Sequence, residues 1–260
     1  MSGLCLFTSA RRRARLFEPT GLPRPSRPAG VVQAVLVLML GWILSILPAA
    51  AQTLPDSMGQ RAVACTACHG KEGRAASDGF YPRIAGKPAG YLYNQLVNFR
   101  EGRRRYPLMI YMVDHLSDDY LREIADYFST LQPPYPAPQP ATVGAAVLER
   151  GRQLTLSGDA AKNVPACVAC HGKALTGVLP SIPGLLGLPR DYLNAQFGAW
   201  KNGARHAAAP ECMAQIAGRL SEADLSAVSS WLAAQPMPAT SAPAVALADK
   251  LPLPCGSFPQ

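Results

Sequence analysis

Between Ser117 and Leu131 the apolar side chains fall at Tyr120, Leu121, Ile124, Ala125, Phe128 and Leu131. This i, i+3, i+4, i+7 spacing places them on one face of a helix. Ser117 is suited to cap that helix, and Asp118 and Asp119 put negative charge at the positive end of its dipole. The pattern returns after Ser221, where Leu225, Val228 and Leu232 form the inward face. Two more helices are expected at Ala89–Glu101 and Pro189–Asn202, each with proline near its start and a glycine, Gly102 or Gly203, at its end. A third pair is expected over Ser57–Cys68 and from Val143 to Leu156 and beyond. No stretch alternates with the period of two that a half-buried strand requires, so the pattern predicts an all-α chain.

These elements repeat in order. The segment YPRIAGKPAGYLYNQLVNFREGRR (Tyr81–Arg104) aligns with IPGLLGLPRDYLNAQFGAWKNGAR (Ile182–Arg205) at an offset of 101 residues. Pro82 then falls on Pro183, Tyr91 on Tyr192, Phe99 on Trp200 and Arg104 on Arg205. Upstream, CTACHG (Cys65–Gly70) and CVACHG (Cys167–Gly172) correspond at 102, and downstream MIYMVDHLS (Met109–Ser117) lies over MAQIAGRLS (Met213–Ser221) at 104. A repeat of about 100 residues is a whole small domain, too long for a solenoid unit. The predicted organisation is a leader or anchor at 1–51, a first domain at 52–131, a proline-rich spacer at 132–142, a second domain at 143–238 and a tail at 239–260.

Charge and composition then remove several classes of function. Hydrophobic residues make up 48% of the 260, enough to build real cores, so a disordered chain is excluded. The net charge of +8 is concentrated at the start, where Arg11, Arg12, Arg13, Arg15, Arg24 and Arg27 precede an apolar run from Val31 to Leu47 and the sequence Ala49-Ala50-Ala51-Gln52. That order resembles an export signal with a small-residue cleavage site. The run is slightly short for a membrane span, and an uncleaved anchor, with membrane association, is the alternative. With six arginines and one glutamate inside residues 1–51, the remainder carries only +3. No basic stripe is left for nucleic acid. The expected location is the periplasm, exported, where an oxidising environment disfavours zinc–thiolate sites.

The chemistry sits in the two C-x-x-C-H motifs. Cys65 with Cys68, and Cys167 with Cys170, can each form thioethers with the two vinyl groups of one haem, and His69 or His171 then offers imidazole to its iron. A thioredoxin-like dithiol needs a surrounding βαβ pattern, and a zinc site needs two more ligands at matching spacing in each copy; the sequence has neither. The chain is therefore expected to hold two covalently bound haem c groups. A methionine thioether is the usual sixth ligand for electron transfer. Met109 lies 40 residues after His69 and Met213 lies 42 after His171. They occupy equivalent places in the repeat, whereas Met112 falls on Ile216. His115 and His206 have no counterpart in the other copy and are expected to face solvent.

Over residues 53–238 the chain resembles two-haem cytochromes c of the cytochrome c4 type, in which two class I domains are fused in tandem. The paired C-x-x-C-H motifs, the Pro…Gly…Tyr-Leu segments, the late methionines and the closing helices carry the resemblance. It implies single-electron carriage in the periplasm between a protein donor and acceptor of a respiratory chain, such as a dehydrogenase, another membrane complex or an oxidase. It also implies that the carbonyls of Pro82 and Pro183 orient the motif histidines. Tyr91 and Tyr192, with Phe99 and Trp200, are expected to pack the haems or the core around them. Arg104 and Arg205 are candidates to meet haem propionates, with a solvated arginine after a helix-ending glycine as the alternative. A haem enzyme such as a diheme peroxidase, or the cytochrome subunit of a dehydrogenase complex, is the competing functional class. Cys212 and Cys255 remain unassigned, and export permits a disulfide that returns the tail to the Met213 loop.

Overall fold

In a computed structural model the described residues are 27–45, 56–75 and 79–258. The arginines before Arg27, the Ala49–Gln52 cleavage sequence and Cys5 lie outside them. The chain divides into two units, Met1–Leu54 and Pro55–Gln260. Within the first, Arg27–Ser45 forms helix α1. Among the described residues no helix is long and apolar enough to cross a membrane.

The second unit contains both repeats. In the first repeat α2 (Met58–Arg61), α3 (Val63–His69), α4 (Ala89–Arg100), α5 (Pro107–Val113) and α6 (Asp118–Thr130) follow in order. The second repeat contributes α7 (Ala145–Leu156), α8 (Val168–His171), α9 (Arg190–Lys201), α10 (Cys212–Arg219) and α11 (Glu222–Ala233). The closing helices match the pattern read from the sequence. On α6 the buried residues are Leu121, Ile124, Ala125 and Phe128, and the Ser117 hydroxyl accepts from the Tyr120 N–H. On α11 the Ser221 hydroxyl and the Asp224 carboxylate cap the helix reciprocally.

Each repeat closes around its own core. Leu92 of α4 meets Ile124, Ala125 and Phe128 of α6. Leu193 and Phe197 of α9 meet Leu225, Val228 and Leu232 of α11, with Leu154 of α7 alongside. Helices α7 and α11 approach closely because Gly151 lacks a side chain: a Cβ there would stand 2.1 Å from the Ala227 carbonyl oxygen. Any larger residue at 151 would push the two helices apart.

Three local features differ from the sequence expectation. The helix expected over Ser57–Cys68 is broken at Ala62 into α2 and α3, and in the second repeat α7 ends at Leu156, well before the motif on α8. Two-residue strands, β1 (Gly177–Val178) and β2 (Ile182–Pro183), form a small antiparallel hairpin, too short for alternation to register. The methionine segments are helical, as α5 and α10. The proline-rich stretch 132–142 is extended and tied down. The Arg83 guanidinium donates to the carbonyls of Pro133 and Pro134 at 2.5 and 3.0 Å and stacks 3.7 Å from the centre of the Tyr135 ring.

The tail is anchored as well. Cys212 and Cys255 form a disulfide across a Cα–Cα distance of 5.0 Å. The Ala244 N–H donates to the Gly177 carbonyl and the Leu179 N–H to the Ala244 carbonyl, so the tail pairs with the hairpin. Further on, the Ser257 carbonyl accepts from Ser181 Oγ at 2.7 Å and from Asn94 Nδ2 at 3.0 Å, joining the tail to both repeats.

Candidate functional site

Both motifs place their histidine in the same way. Each ends a short helix, α3 or α8, and is followed by a glycine with positive φ, Gly70 at 74° or Gly172 at 81°. Only glycine takes that turn without strain, and it redirects the chain immediately after the imidazole. His69 Nδ1 lies 2.8 Å from the Pro82 carbonyl oxygen, and His171 Nδ1 lies 2.7 Å from that of Pro183. A carbonyl can only accept, so Nδ1 carries the proton and Nε2 retains its lone pair. Both rings are buried, 8% and 6% exposed. Burial lowers the pKa of His69, opposed by the Pro82 hydrogen bond and reinforced by the charge of Arg104. Burial likewise lowers that of His171, opposed by Pro183 and reinforced by Lys87. Neutral imidazole, the ligating form, is the result in both.

Cys65, Cys68, Cys167 and Cys170 are all half-buried and outside any disulfide, so both members of each pair can meet a haem vinyl group. Burial raises the Cys65 and Cys170 thiols and pushes Cys167 up to about 11. A redox dithiol depends on a lowered pKa, and the shifts at Cys65, Cys167 and Cys170 run the other way. Among the described residues no group of three His, Cys, Asp or Glu side chains is placed to hold a metal ion.

A cavity of about 930 Å³ is lined by Cys65, Cys68, His69 and Met109 from the first repeat and by Cys167, Cys170, His171 and Met213 from the second. Tyr91 and Tyr192 line it too. Met109 is partly buried against the core residues Phe99, Val113 and Leu121, whereas Met112 is 42% exposed. Met213 packs against the core of the second repeat. His115 and His206 are exposed, the latter with its Nδ1 3.1 Å from a Glu211 carboxylate oxygen. The donor set, two thiols, one imidazole with a free Nε2 and one thioether in each repeat beside an apolar space, fits a covalently attached haem c in each.

Between the two sites lies a seam of pseudo-two-fold symmetry. Arg104 and Arg205 pair as an antiparallel bridge, and the Arg105 N–H donates to Ala204 while the His206 N–H donates to Arg103. The side-chain amide oxygen of Gln95 accepts from Arg104 at 3.0 Å and Arg205 at 3.2 Å; that of Gln196 accepts from Arg104 at 2.8 Å and Arg205 at 2.7 Å. Each guanidinium also stacks on an aromatic ring of its own repeat, Arg104 at 4.6 Å from the Phe99 centroid and Arg205 at 4.1 Å from that of Trp200. Arg205 is only 6% exposed, so the solvated-arginine alternative fails there, while Arg104 is half-buried. Neither guanidinium forms an ion pair among the described residues, although both line the cavity. One buried and one half-buried cation, each hydrogen-bonded to neutral side chains, suit the carboxylates that a haem carries. Sequence reading found the arginines but passed over Gln95 and Gln196, although the two glutamines share the arginines' offset of 101.

No family model matches the chain. It is 39% identical over 209 residues to a thiosulfate dehydrogenase electron acceptor from Thiomonas intermedia, covering 80% of this chain and 93% of that protein. It is 32% identical over 214 residues to cytochrome c4 from Azotobacter vinelandii, covering 77% and 97%. The crystal structure of reduced recombinant cytochrome c4 from Pseudomonas stutzeri superposes with a TM-score of 0.60 at 28% identity, over 68% of this chain and 96% of that one. The expected all-α class I fold, the two haem c groups and electron transfer thus agree with relatives matched over nearly their whole length. The chain belongs to the cytochrome c4 family: it is a two-haem electron-transfer cytochrome with one covalently bound haem c in each repeat.

Proposed function

We propose that this protein is an exported, periplasmic carrier that takes single electrons from a thiosulfate dehydrogenase and passes them to a respiratory acceptor. In this reading residues 52–131 and 143–238 are the two haem domains. His69 and Met109 ligate the first iron, and His171 and Met213 the second. Pro82 and Pro183 hold the imidazoles, Tyr91 and Tyr192 pack against the rings, and Arg104 and Arg205 receive haem carboxylates. When bound, haem iron supplies reversible one-electron chemistry. The chain's part is to fix Nε2 and the thioether, exclude water and fill the space around the ring.

The observation that carries this reading is the repeated constellation: a motif histidine pinned through Nδ1 to a proline carbonyl, sharing a cavity with a methionine at the equivalent place in each repeat. Similarity over 93% of a thiosulfate dehydrogenase electron acceptor supports the choice of donor. A pyridine haemochrome assay is expected to count two c-type haems per chain, and the ferric protein to show the red-region charge-transfer band of methionine–iron ligation. Met109→Ala and Met213→Ala are each expected to remove about half of that band while leaving the haem count at two. Stopped-flow mixing with a purified thiosulfate dehydrogenase and thiosulfate should then reduce both haems. Reduction no faster than with thiosulfate alone rejects the donor, and a band unchanged in both variants rejects the ligand set.

A further inference from the structure

Lys87 and Arg83 are buried cations lining the cavity that the repeat does not balance, and of the two only Lys87 reaches across to the second repeat. Lys87 is 5% exposed, lies in the turn before α4, and reaches out of the first repeat to donate from Nζ to the Gly184 carbonyl of the second at 3.1 Å. Gly184 directly follows Pro183, whose carbonyl holds His171. Lys87 lines the shared cavity and has no ion-pair partner among the described residues. Its equivalent in the second repeat is Leu188, which is buried in that repeat's core and carries no charge. Arg104 and Arg205, by contrast, occur as a matched pair.

An ammonium buried without a carboxylate is costly, so its retention calls for a compensating role or an anion nearby. Burial, with help from the neighbouring Arg83, lowers its pKa to about 8, which leaves it mostly charged at neutral pH. Ferric iron carries one more positive charge than ferrous iron. A fixed cation in a low-dielectric site therefore favours the reduced state of whichever centre is nearer.

We propose that Lys87 is a potential-setting residue: an ammonium lent by the first repeat to the second haem centre, raising its reduction potential relative to the first and biasing a shared electron toward it. The step is a one-electron transfer in which one iron goes from ferrous to ferric, the other from ferric to ferrous, and no proton moves. This inference rests on the two-haem ligation proposed above and adds a direction to it.

The test is spectroelectrochemical titration of the holoprotein, with each centre assigned by the ferrous methionine methyl NMR signal that Met109→Ala or Met213→Ala abolishes. Lys87→Leu, which installs the residue found at the equivalent position 188, is expected to lower the second centre's potential and change electron sharing between the centres by about tenfold, or 59 mV for one electron. Lys87→Gln keeps a donor for the Gly184 carbonyl and should give the same shift even if the leucine variant folds poorly. Lys87→Arg should retain most of the original gap. An unchanged gap in Lys87→Gln with both methionine bands intact overturns the proposal, as does an equal fall at both centres or an arginine variant that behaves like glutamine. Absence of the methionine bands from the unmodified protein would instead overturn the ligation itself.

Discussion

The methionine-bearing helices of the two repeats have the same inward face and opposite outward fates. On α5, Leu108, Tyr111 and Met112 stand at i, i+3 and i+4 and are exposed, Tyr111 to 80%. The equivalent positions on α10 are Cys212, Gln215 and Ile216. There Cys212 is disulfide-bonded to the tail and Ile216 packs against the core. Phe80 is 61% exposed in the first repeat, whereas its counterpart Ser181 is 7% exposed and hydrogen-bonded to the tail. A duplicated domain presents the same surface twice, and this chain covers one copy with its own C-terminus. The second repeat therefore gains cross-links and polar networks that the first lacks, which gives the two haem environments different mechanical support.

The largest difference should come from Asp224. Its carboxylate is buried on α11 and hydrogen-bonded by Arg150 at 2.8 Å, by Lys162 and by Ser221 Oγ at 2.8 Å. The equivalent residue in the first repeat is Tyr120, which has no such network. Burial works against the charged form of Asp224, but the hydrogen bonds from Lys162, Ser221 and Arg150 outweigh it and hold the group well below the usual carboxylate range. A depressed folded-state pKa contributes stability that is complete above the unfolded value of about 3.9 and vanishes as pH falls through the folded one. Asp224→Ala is expected to cost about 3 kcal/mol at pH 7, read by denaturant unfolding, because Ser221 and Lys162 lose their carboxylate partner while Arg150 keeps Asp159. Asp224→Asn should flatten the fall in stability below about pH 4. A pH profile parallel to that of the unmodified protein would remove Asp224 from the account.

Next in size is the disulfide. Cys212 and Cys255 close a loop with a sequence separation of 43. Chain-entropy reasoning gives about 4 kcal/mol for such a loop, an upper figure because the tail also keeps its hydrogen bonds to the hairpin and to Asn94. Cys255→Ser should lower stability by part of that amount and leave the haem count at two. Because Leu253 and Phe258 line the cavity, the variant should also let exogenous imidazole displace the methionine of the second haem faster than before. The first haem, whose equivalent face has no tail, should react at its original rate. Equal acceleration at both haems would contradict the asymmetry drawn here.

What the sequence disclosed follows from the range of the physics involved. The closing helices were legible because their burial pattern is local: Leu121, Ile124, Ala125 and Phe128 are buried on α6 and Leu225, Val228 and Leu232 on α11. Tyr120 and Leu131, however, are only half-buried, and α11 buries Asp224, Ser229 and Ser230 as well. The motif histidines and the methionines could be paired across the repeats because the repeat restricts them to fixed places, and all four line the cavity. The proline carbonyls were accessible only by resemblance, since a backbone acceptor 12 or 13 residues away leaves no mark in a side-chain pattern. Helices α5 and α10 were missed as elements, being only 7 and 8 residues long, with too few turns for periodicity to emerge. The Gln95–Arg104–Arg205–Gln196 seam and the reach of Lys87 were missed because both depend on how one repeat packs against the other. The glutamines carried a faint signal in their shared offset. Lys87 carried only the mismatch with Leu188.

The smallest predicted effect isolates the outward face itself. Met112 and Ile216 are equivalent positions that both line the cavity, the first 42% exposed on α5 and the second half-buried on α10 against the core of its repeat. Met112→Ser removes little buried area and should change stability by no more than about 0.5 kcal/mol. Ile216→Ser deletes packed methyl groups and sets a hydroxyl against apolar neighbours, which is expected to cost about 2–3 kcal/mol. Because the two substitutions are made at one position of the repeat, helix propensity and local charge are closely matched, and the difference between them reports burial. If both prove equally mild, the second repeat's face is no better packed than the first, and its tail stabilises the molecule through the disulfide and backbone hydrogen bonds alone.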